Sequence, residues 1–305
     1  FKKYLDNPNS PIQQYIGENG IVYSYDLSFS AFSYNKDKKF IDSDVEIGKD
    51  ENGGFFSGFS SFFGGDTKTS AENFSQIIKG SNGEAVSDIV RNNYDLIYGT
   101  WPKKYNEVLL VVNRRNTLSA EELYQLGLIT KKQYDEAAKK IEEGKDADNL
   151  FINYDEITSH TFYLVPACDT YLKNDNGTFT KIEEYEKYEK ELTENKTKLK
   201  IVGIIRPAES AENTTISTPI AYTYLLTDYI IEYTEKSEIV KSQQKTPTVN
   251  VLSGTKFDVS SEEEKIAEAI NYIKSLDDEG KANLYRMVLF SNNSESDSAP
   301  AFSMP

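Results

Sequence analysis

Cysteine and histidine are almost absent from this chain. Cys168 and His160 are the only residues of either type among 305. A single cysteine excludes an internal disulfide, and one cysteine with one histidine cannot supply a zinc centre of the usual nitrogen and sulfur ligands. Cys168 stands in an apolar stretch and reads as a small buried hydrophobe rather than a nucleophile. Its isolation leaves the compartment open, because exported surface proteins and cytosolic proteins can both do without cysteine.

Positive charge is also scarce. Lys and Arg number 34 against 49 Asp and Glu, giving a net charge of −15 and a pI near 4.7. A phosphate backbone would be repelled over most of such a surface, so a nucleic-acid partner is not expected. No stretch approaches the roughly 20 apolar residues of a membrane span, and no basic and apolar signal opens the chain. It starts at Phe1 without a methionine and stops at Pro305 in a polar tail, which suggests a piece of something larger.

The chemical motifs are missing too. There is no G-x-G-x-x-G or G-x-x-x-x-G-K-[ST] loop to cradle a nucleotide phosphate. No G-x-S-x-G elbow accompanies His160, whose surroundings, SHTFYLV, read as the start of a strand, so it is taken as structural or surface rather than as a base. Carboxylates are plentiful, but an acid pair means something only when geometry brings the two together. Neither an enzyme nor a cofactor is expected on these grounds. No period of 20 to 50 residues repeats, which argues against a solenoid.

What is present is aromatic. The 21 Tyr and 16 Phe can supply burial that a hydrophobic fraction of 38% would otherwise leave thin. The length suits one large domain or two ordinary ones. Residues 21–31 alternate strictly, with Ile21, Tyr23, Tyr25, Leu27, Phe29 and Ala31 on one parity. That predicts a long half-buried strand with a bulge or an end near Ala31. Phe74, Ile77 and Ile78 predict one short helix and Val86, Ile89 and Val90 another. Tyr94–Tyr98 and Val108–Val112 predict buried strands joined by a loop with Gly99, Trp101 and Pro102. Capping boxes at Ser119/Glu122 and Thr130/Gln133 open two helices, and the second is expected to bury Tyr134, Ala137, Ala138 and Ile141 before stopping at Gly144.

Further on, a strand at Tyr163–Val165 precedes a hairpin turned by Asn174–Gly177. Ile182, Tyr185, Tyr188 and Leu192 mark a thin stripe on a charged helix. Leu199–Ile205 is apolar on both faces and predicts a central strand. Thr218 and Pro219 read as the cap and first position of a helix whose face runs Tyr222, Leu225, Leu226, Tyr229, Ile230, Tyr233. Ser237 starts a short helix, Val249–Leu252 a short strand, and Ser261/Glu264 cap a helix expected to bury Ile266, Ala269, Ile270 and Ile273. A last helix follows from Asp277 to Leu289, then a polar tail. The pattern predicts an α+β fold, a mixed and mostly antiparallel sheet with peripheral helices. It divides into an N-terminal part (1–93), a central core (94–255), C-terminal helices (256–290) and a tail or linker (291–305).

Two stretches stand outside this scaffold. Asp42, Asp44, Glu46, Asp50 and Glu51 lack the ligand spacing of a calcium loop and read as a solvated face, so no metal is expected. GGFFSGFSSFFGG places Phe55, Phe56, Phe59, Phe62 and Phe63 in a glycine and serine background. Such a segment either folds onto its own domain or touches a partner or a membrane surface, and these five are the candidate contact residues.

The stretch YDLIYGTWPKKYNEVLLVVN, with the later LKIVGIIRP, resembles the extracytoplasmic domain of ABC transporter permeases of the FtsX/MacB-like superfamily, in its Firmicutes form. Gly99, Trp101, Pro102, Asn106, Glu107 and Val108 match the family's strand, loop and strand, and Val202, Gly203 and Ile204 match its later strand. The likeness covers the middle of the chain, about 94–252. It implies an α+β ectodomain of MacB-like fold on the outer face of the cell membrane, held by the rest of a permease and worked by a cytoplasmic ATPase. Such a domain binds a peptide, lipid or protein partner and relays conformational change. The alternatives are a freestanding surface binding protein, such as an adhesin or substrate-binding lipoprotein, and further behind a secreted hydrolase.

Overall fold

The computed structural model describes residues 1–5, 7–16, 21, 25, 27–43, 73–80, 83–144, 152–211, 214–276 and 278–293. Two compact units emerge, one of Phe1–Tyr171 with Lys181–Ser237, the other of Leu172–Thr180 with Glu238–Pro305. The architecture is the expected α+β: a mixed, mostly antiparallel sheet with helices at its periphery.

The strands of the large sheet are β1 (Phe29–Tyr34), β2 (Phe40–Asp42), β3 (Phe74–Gln76), β4 (Tyr94–Gly99), β5 (Glu107–Val111), β6 (Thr161–Pro166), β9 (Lys198–Pro207) and β10 (Ile220–Tyr222). Strands β7 (Tyr171–Lys173) and β8 (Phe179–Lys181) form a separate hairpin. In spatial order the large sheet reads β2, β1, β6, β9, β5, β10, β3, with β4 as an extra partner of β9.

The apolar run around Leu199–Ile205 is central, as its composition predicts. β9 pairs along one edge with β5, in parallel. Along the other edge its first residues, Lys198–Lys200, pair with β6 and its last, Gly203–Pro207, with β4, both antiparallel. The change of partner falls at a bulge: Val108 faces Ile201 and Leu109 faces Gly203, so Val202 is an inserted residue. The insertion also flips side-chain parity. Leu199, Ile201 and Ile204 join one core, whereas Ile205 joins the other.

Those two cores lie on opposite faces of the sheet, and β5 sorts its residues between them with period two. Val108 and Leu110 enter the first core with Phe29, Phe74, Phe162, Leu164, Leu226 and Ile230. Leu109 and Val111 enter the second with Ile77, Val90, Tyr94 and Ile216. A strand covered on both faces has no polar side to show, which is why 108–112 reads as an unbroken hydrophobic run.

The helices are α1 (Lys2–Leu5), α2 (Asp88–Asn93), α3 (Ala120–Gln125), α4 (Lys131–Glu142), α5 (Tyr154–Ser159), α6 (Glu189–Thr193), α7 (Tyr224–Glu235), α8 (Glu238–Lys245), α9 (Glu262–Ser275) and α10 (Asp278–Asn293). Both capping boxes form. Glu122 N–H donates to Ser119 Oγ at 3.1 Å, and Gln133 N–H to Thr130 Oγ1 at 3.3 Å, each with the reciprocal bond. Gly127 and Gly144 end their helices at φ +73° and +68°.

Several sequence expectations are corrected. Of the stretch expected as one long strand, Ile21, Tyr25, Leu27 and Ser28 are not in a strand, residues 22–24 and 26 lie outside the described residues, and β1 runs without a break from Phe29 through Ala31 to Tyr34. In place of a bulge at Ala31, both faces of β1 are covered: Phe29 and Ala31 enter the first core, while Phe32 packs on Phe40 and Tyr185 across the other. Phe74–Gln76 is a strand parallel to β10, not a helix, with Phe74 and Ile77 on opposite faces as strand parity requires. Thr218 and Pro219 lead into β10, and α7 starts one turn later at the N-cap Thr223. Ile182 and Leu192 are buried on either side of a short 3₁₀ turn, Tyr185–Tyr188, rather than on one helix.

The second unit departs most from expectation. Val249 makes only an isolated bridge with Lys256, since residues 251–253 turn instead of extending. The α9 cap at Ser261 is present, accepting from Glu264 N–H at 3.2 Å. The stripe it introduces is not buried: Ile266 is 59% exposed, and Ile270 and Ile273 are also open. Ile141 on α4 is likewise exposed. A helical period reports a common face, and whether another element covers that face is a tertiary fact.

Candidate functional site

Among the described residues of the first unit, two concave sites stand out. The first is built on β6, the lead into β9, and α7. Asp169 stands in the 3₁₀ turn Ala167–Thr170 that follows β6, and Asn195 adopts φ +60° to swing the chain from α6 into Lys196 and Thr197. Tyr229 and Tyr233 sit one turn apart on α7. Lys196 Nζ lies 2.5 Å from Asp169 Oδ2, with the two side chains only 18% and 15% exposed. Tyr233 donates its hydroxyl to the same oxygen at 2.9 Å, and the Tyr229 hydroxyl and Thr197 Oγ1 are 2.7 Å apart. Tyr105 stacks on Tyr229 at 4.3 Å between ring centroids.

Burial, followed by the bond to Asp169, pushes the Tyr233 phenol well above its ordinary value. Burial also raises the Cys168 thiol, whose sulfur lies 3.8 Å from Thr234 Oγ1 and 3.7 Å from Asp169 Oδ1. A raised thiol stays protonated and is a poor nucleophile. Cys168 is half-buried in the 3₁₀ turn rather than deep in a strand. The cavity beside this network is about 70 Å³, room for a couple of waters. Its charged groups already satisfy one another, so the arrangement works as a clamp holding α7 to β6 and β9.

The second site is larger, about 230 Å³, and lies between the β1–β2 turn and the C-terminal end of α5. Its lining includes Asn35, Lys36, Gly127, Glu156 and His160. β6 starts at Thr161, within SHTFYLV as expected, and His160 just before it caps α5, with its backbone N–H bonded to the Ile157 carbonyl at 3.1 Å. Its ring meets Phe162 edge to face at 5.1 Å. Burial lowers its pKa to about 4, so the imidazole is neutral across the physiological range. Gly127, at φ +73°, is packed too closely for a side chain: a Cβ there would lie 2.4 Å from Ser33 Oγ and 3.3 Å from His160 Cε1. At the mouth Lys36 Nζ and Glu156 Oε1 are 2.6 Å apart.

Phe55, Phe56, Phe59, Phe62 and Phe63 lie outside the described residues, as do Asp44, Glu46, Asp50 and Glu51. Asp42 belongs to β2. Trp101 packs against the second core, with the Arg91 guanidinium 5.1 Å from its ring centre. Asp169, Lys196, Tyr229 and Tyr233 are not legible as site residues in the sequence, because each gains its partners from segments distant in sequence. Among the described residues no group of three acidic, histidine or cysteine side chains is placed to hold a metal, and no helix is long and apolar enough to cross a membrane. No protein-family model, no curated protein and no solved structure matches this chain.

Proposed function

We propose that this chain is the extracytoplasmic domain of an ABC transporter permease of the FtsX/MacB-like superfamily. In this reading it binds a peptide, lipid or protein partner and relays ATPase-driven movement across the membrane. The observation that carries the proposal is the meeting of its two family-like stretches. Gly99 of the first pairs with Gly203 of the second, and Thr100 N–H bonds to the Val202 carbonyl at 2.8 Å. Residues separated by a hundred positions thus form one fork, at which β4, β5 and β6 all engage β9. A strand gripped by three neighbours is a stiff element, suited to passing displacement from one end of a domain to the other. The phenylalanines at 55, 56, 59, 62 and 63 are the proposed contact with the partner or membrane surface.

The test is the reading frame on either side of this chain. The proposal requires a transmembrane helix shortly before Phe1 and more after Pro305, and an ATPase subunit encoded with it. A frame with neither helix sinks the permease reading and leaves a freestanding surface binding protein.

A further inference from the structure

The chain carries a net charge of −15, yet one corner of its sheet gathers four exposed lysines, Lys103, Lys104, Lys198 and Lys200. On β9, Lys198 and Lys200 alternate with Leu199 and Ile201, which enter the first core, so both lysines stand on the opposite face. Glu107, at the start of β5, pairs with Lys200 and shares that face. Its Oε2 accepts the backbone N–H groups of Lys103 and Lys104 at 2.7 and 3.1 Å, which ties the loop between β4 and β5 to the same side. Asn106 completes the corner: its carbonyl accepts from Lys200 N–H at 2.9 Å, and its side-chain amide donates to the Lys198 carbonyl at 3.2 Å. Residues two apart on a strand are separated by roughly 7 Å and neighbouring strands by about 5 Å, so each of these lysines lies on the order of one Debye length from the next at physiological salt. Their charges act together.

Among the described residues none of the four ammonium groups meets a carboxylate. Glu107 is taken up by the loop backbone, Glu189 accepts from the Tyr34 hydroxyl at 2.7 Å, and Glu194 pairs with Lys190 at 3.7 Å. Lys198 Nζ instead lies 5.2 Å from the centre of the Tyr163 ring. Tyr105, in the same loop, is 39% exposed and presents an amphipathic ring of the kind that settles at bilayer interfaces. We propose that this corner docks on the anionic headgroups of a bilayer surface, an inference that rests on the permease reading for placing a membrane nearby. The corner is an open strand face with a turn beside it, and lysine is a hydrated, mobile point charge rather than a planar fork that grips one phosphate. Such a surface suits many headgroups at once. The acidic remainder of the chain is repelled by the same lipids, so attraction and repulsion together orient the domain with this corner toward the bilayer.

Co-sedimentation of the whole chain with phosphatidylcholine vesicles and with vesicles rich in phosphatidylglycerol tests the proposal. Binding to the anionic vesicles is expected, weakening as salt is raised, with little or none to the zwitterionic ones. Lys103→Gln with Lys104→Gln, and separately Lys198→Gln with Lys200→Gln, should each weaken it about 25-fold, since roughly 1 kcal/mol per lysine near an anionic surface is about fivefold apiece. Lys241→Gln with Lys245→Gln on α8 removes the same charge elsewhere and should leave binding unchanged. All six side chains are exposed, so every variant should keep the parent Tm. Titration with soluble polyglutamate covers the other occupant: binding of it in place of the vesicles identifies an acidic protein segment and overturns the lipid assignment. No binding to anionic vesicles, equal binding to both kinds, indifference to salt, or equal weakening by the α8 pair also overturns it. None of these outcomes bears on the permease reading, which the flanking reading frame decides.

Discussion

Gly99 and Gly203 face each other across the β4–β9 pairing in a space that admits no side chain. A Cβ on Gly99 would lie 2.2 Å from the Val202 carbonyl oxygen, and one on Gly203 would lie 2.4 Å from the Thr100 carbonyl oxygen. Gly99 also needs φ +77°. The obstacles are backbone atoms at the Val202 bulge, which cannot step aside as a flexible side chain would. Gly99→Ala and Gly203→Ala should each cost roughly 3 kcal/mol or more of folding stability. Gly144→Ala is the control. It has φ +68° but nothing within 4 Å of the added carbon, so only the left-handed strain of about 1–2 kcal/mol applies. Urea denaturation of the three variants reads the difference, and equal losses would refute the close-approach argument.

The Asp169–Lys196 pair is sheltered enough to matter for stability. Asp169→Ala strands the ammonium and the Tyr233 hydroxyl, and Lys196→Met strands the carboxylate; each should cost about 1–3 kcal/mol. Because the two share one interaction, the double variant should lose less than the sum of the single losses. Strict additivity in a double-mutant cycle would show the pair to be energetically idle.

His160 makes the fold sensitive to acid. Its pKa is about 4 in the folded chain against 6.5 for an unperturbed histidine, with burial the main cause and Glu156 pulling the other way. The unfolded chain therefore binds a proton first as the pH falls. The contribution is full above 6.5 and is lost as pH drops toward 4, a total on the order of 3 kcal/mol. Denaturant midpoints across that window should fall less steeply for His160→Asn than for the parent chain. Parallel curves would place the acid sensitivity elsewhere.

Replacing Phe55, Phe56, Phe59, Phe62 and Phe63 by serine should leave the Tm within a degree or two of the parent, roughly the shift expected from a few tenths of a kcal/mol. The same change should reduce association with vesicles or a protein partner, scored by co-sedimentation. A large drop in Tm would make these phenylalanines core instead of contact.

Local chemistry was the legible part of the sequence. Ser119, Thr130 and Ser261 cap helices because their hydroxyls act within three residues, and Gly127 and Gly144 end helices for a reason internal to the backbone. β5 and β9 were readable because a strand covered on both faces must be apolar throughout. What escaped depended on distant partners. Phe74 and Ile77 have a spacing that helix and strand both allow, and pairing with β10 decides between them. Ile266 and Ile270 mark a face without saying whether it is covered.

Fractionation of the full-length native product decides whether the chain belongs to a permease. The product of a permease gene is expected to sediment with membranes, resist alkaline carbonate, and after detergent extraction co-purify with an ATPase subunit. Recovery in the soluble fraction with no ATPase bound would contradict it.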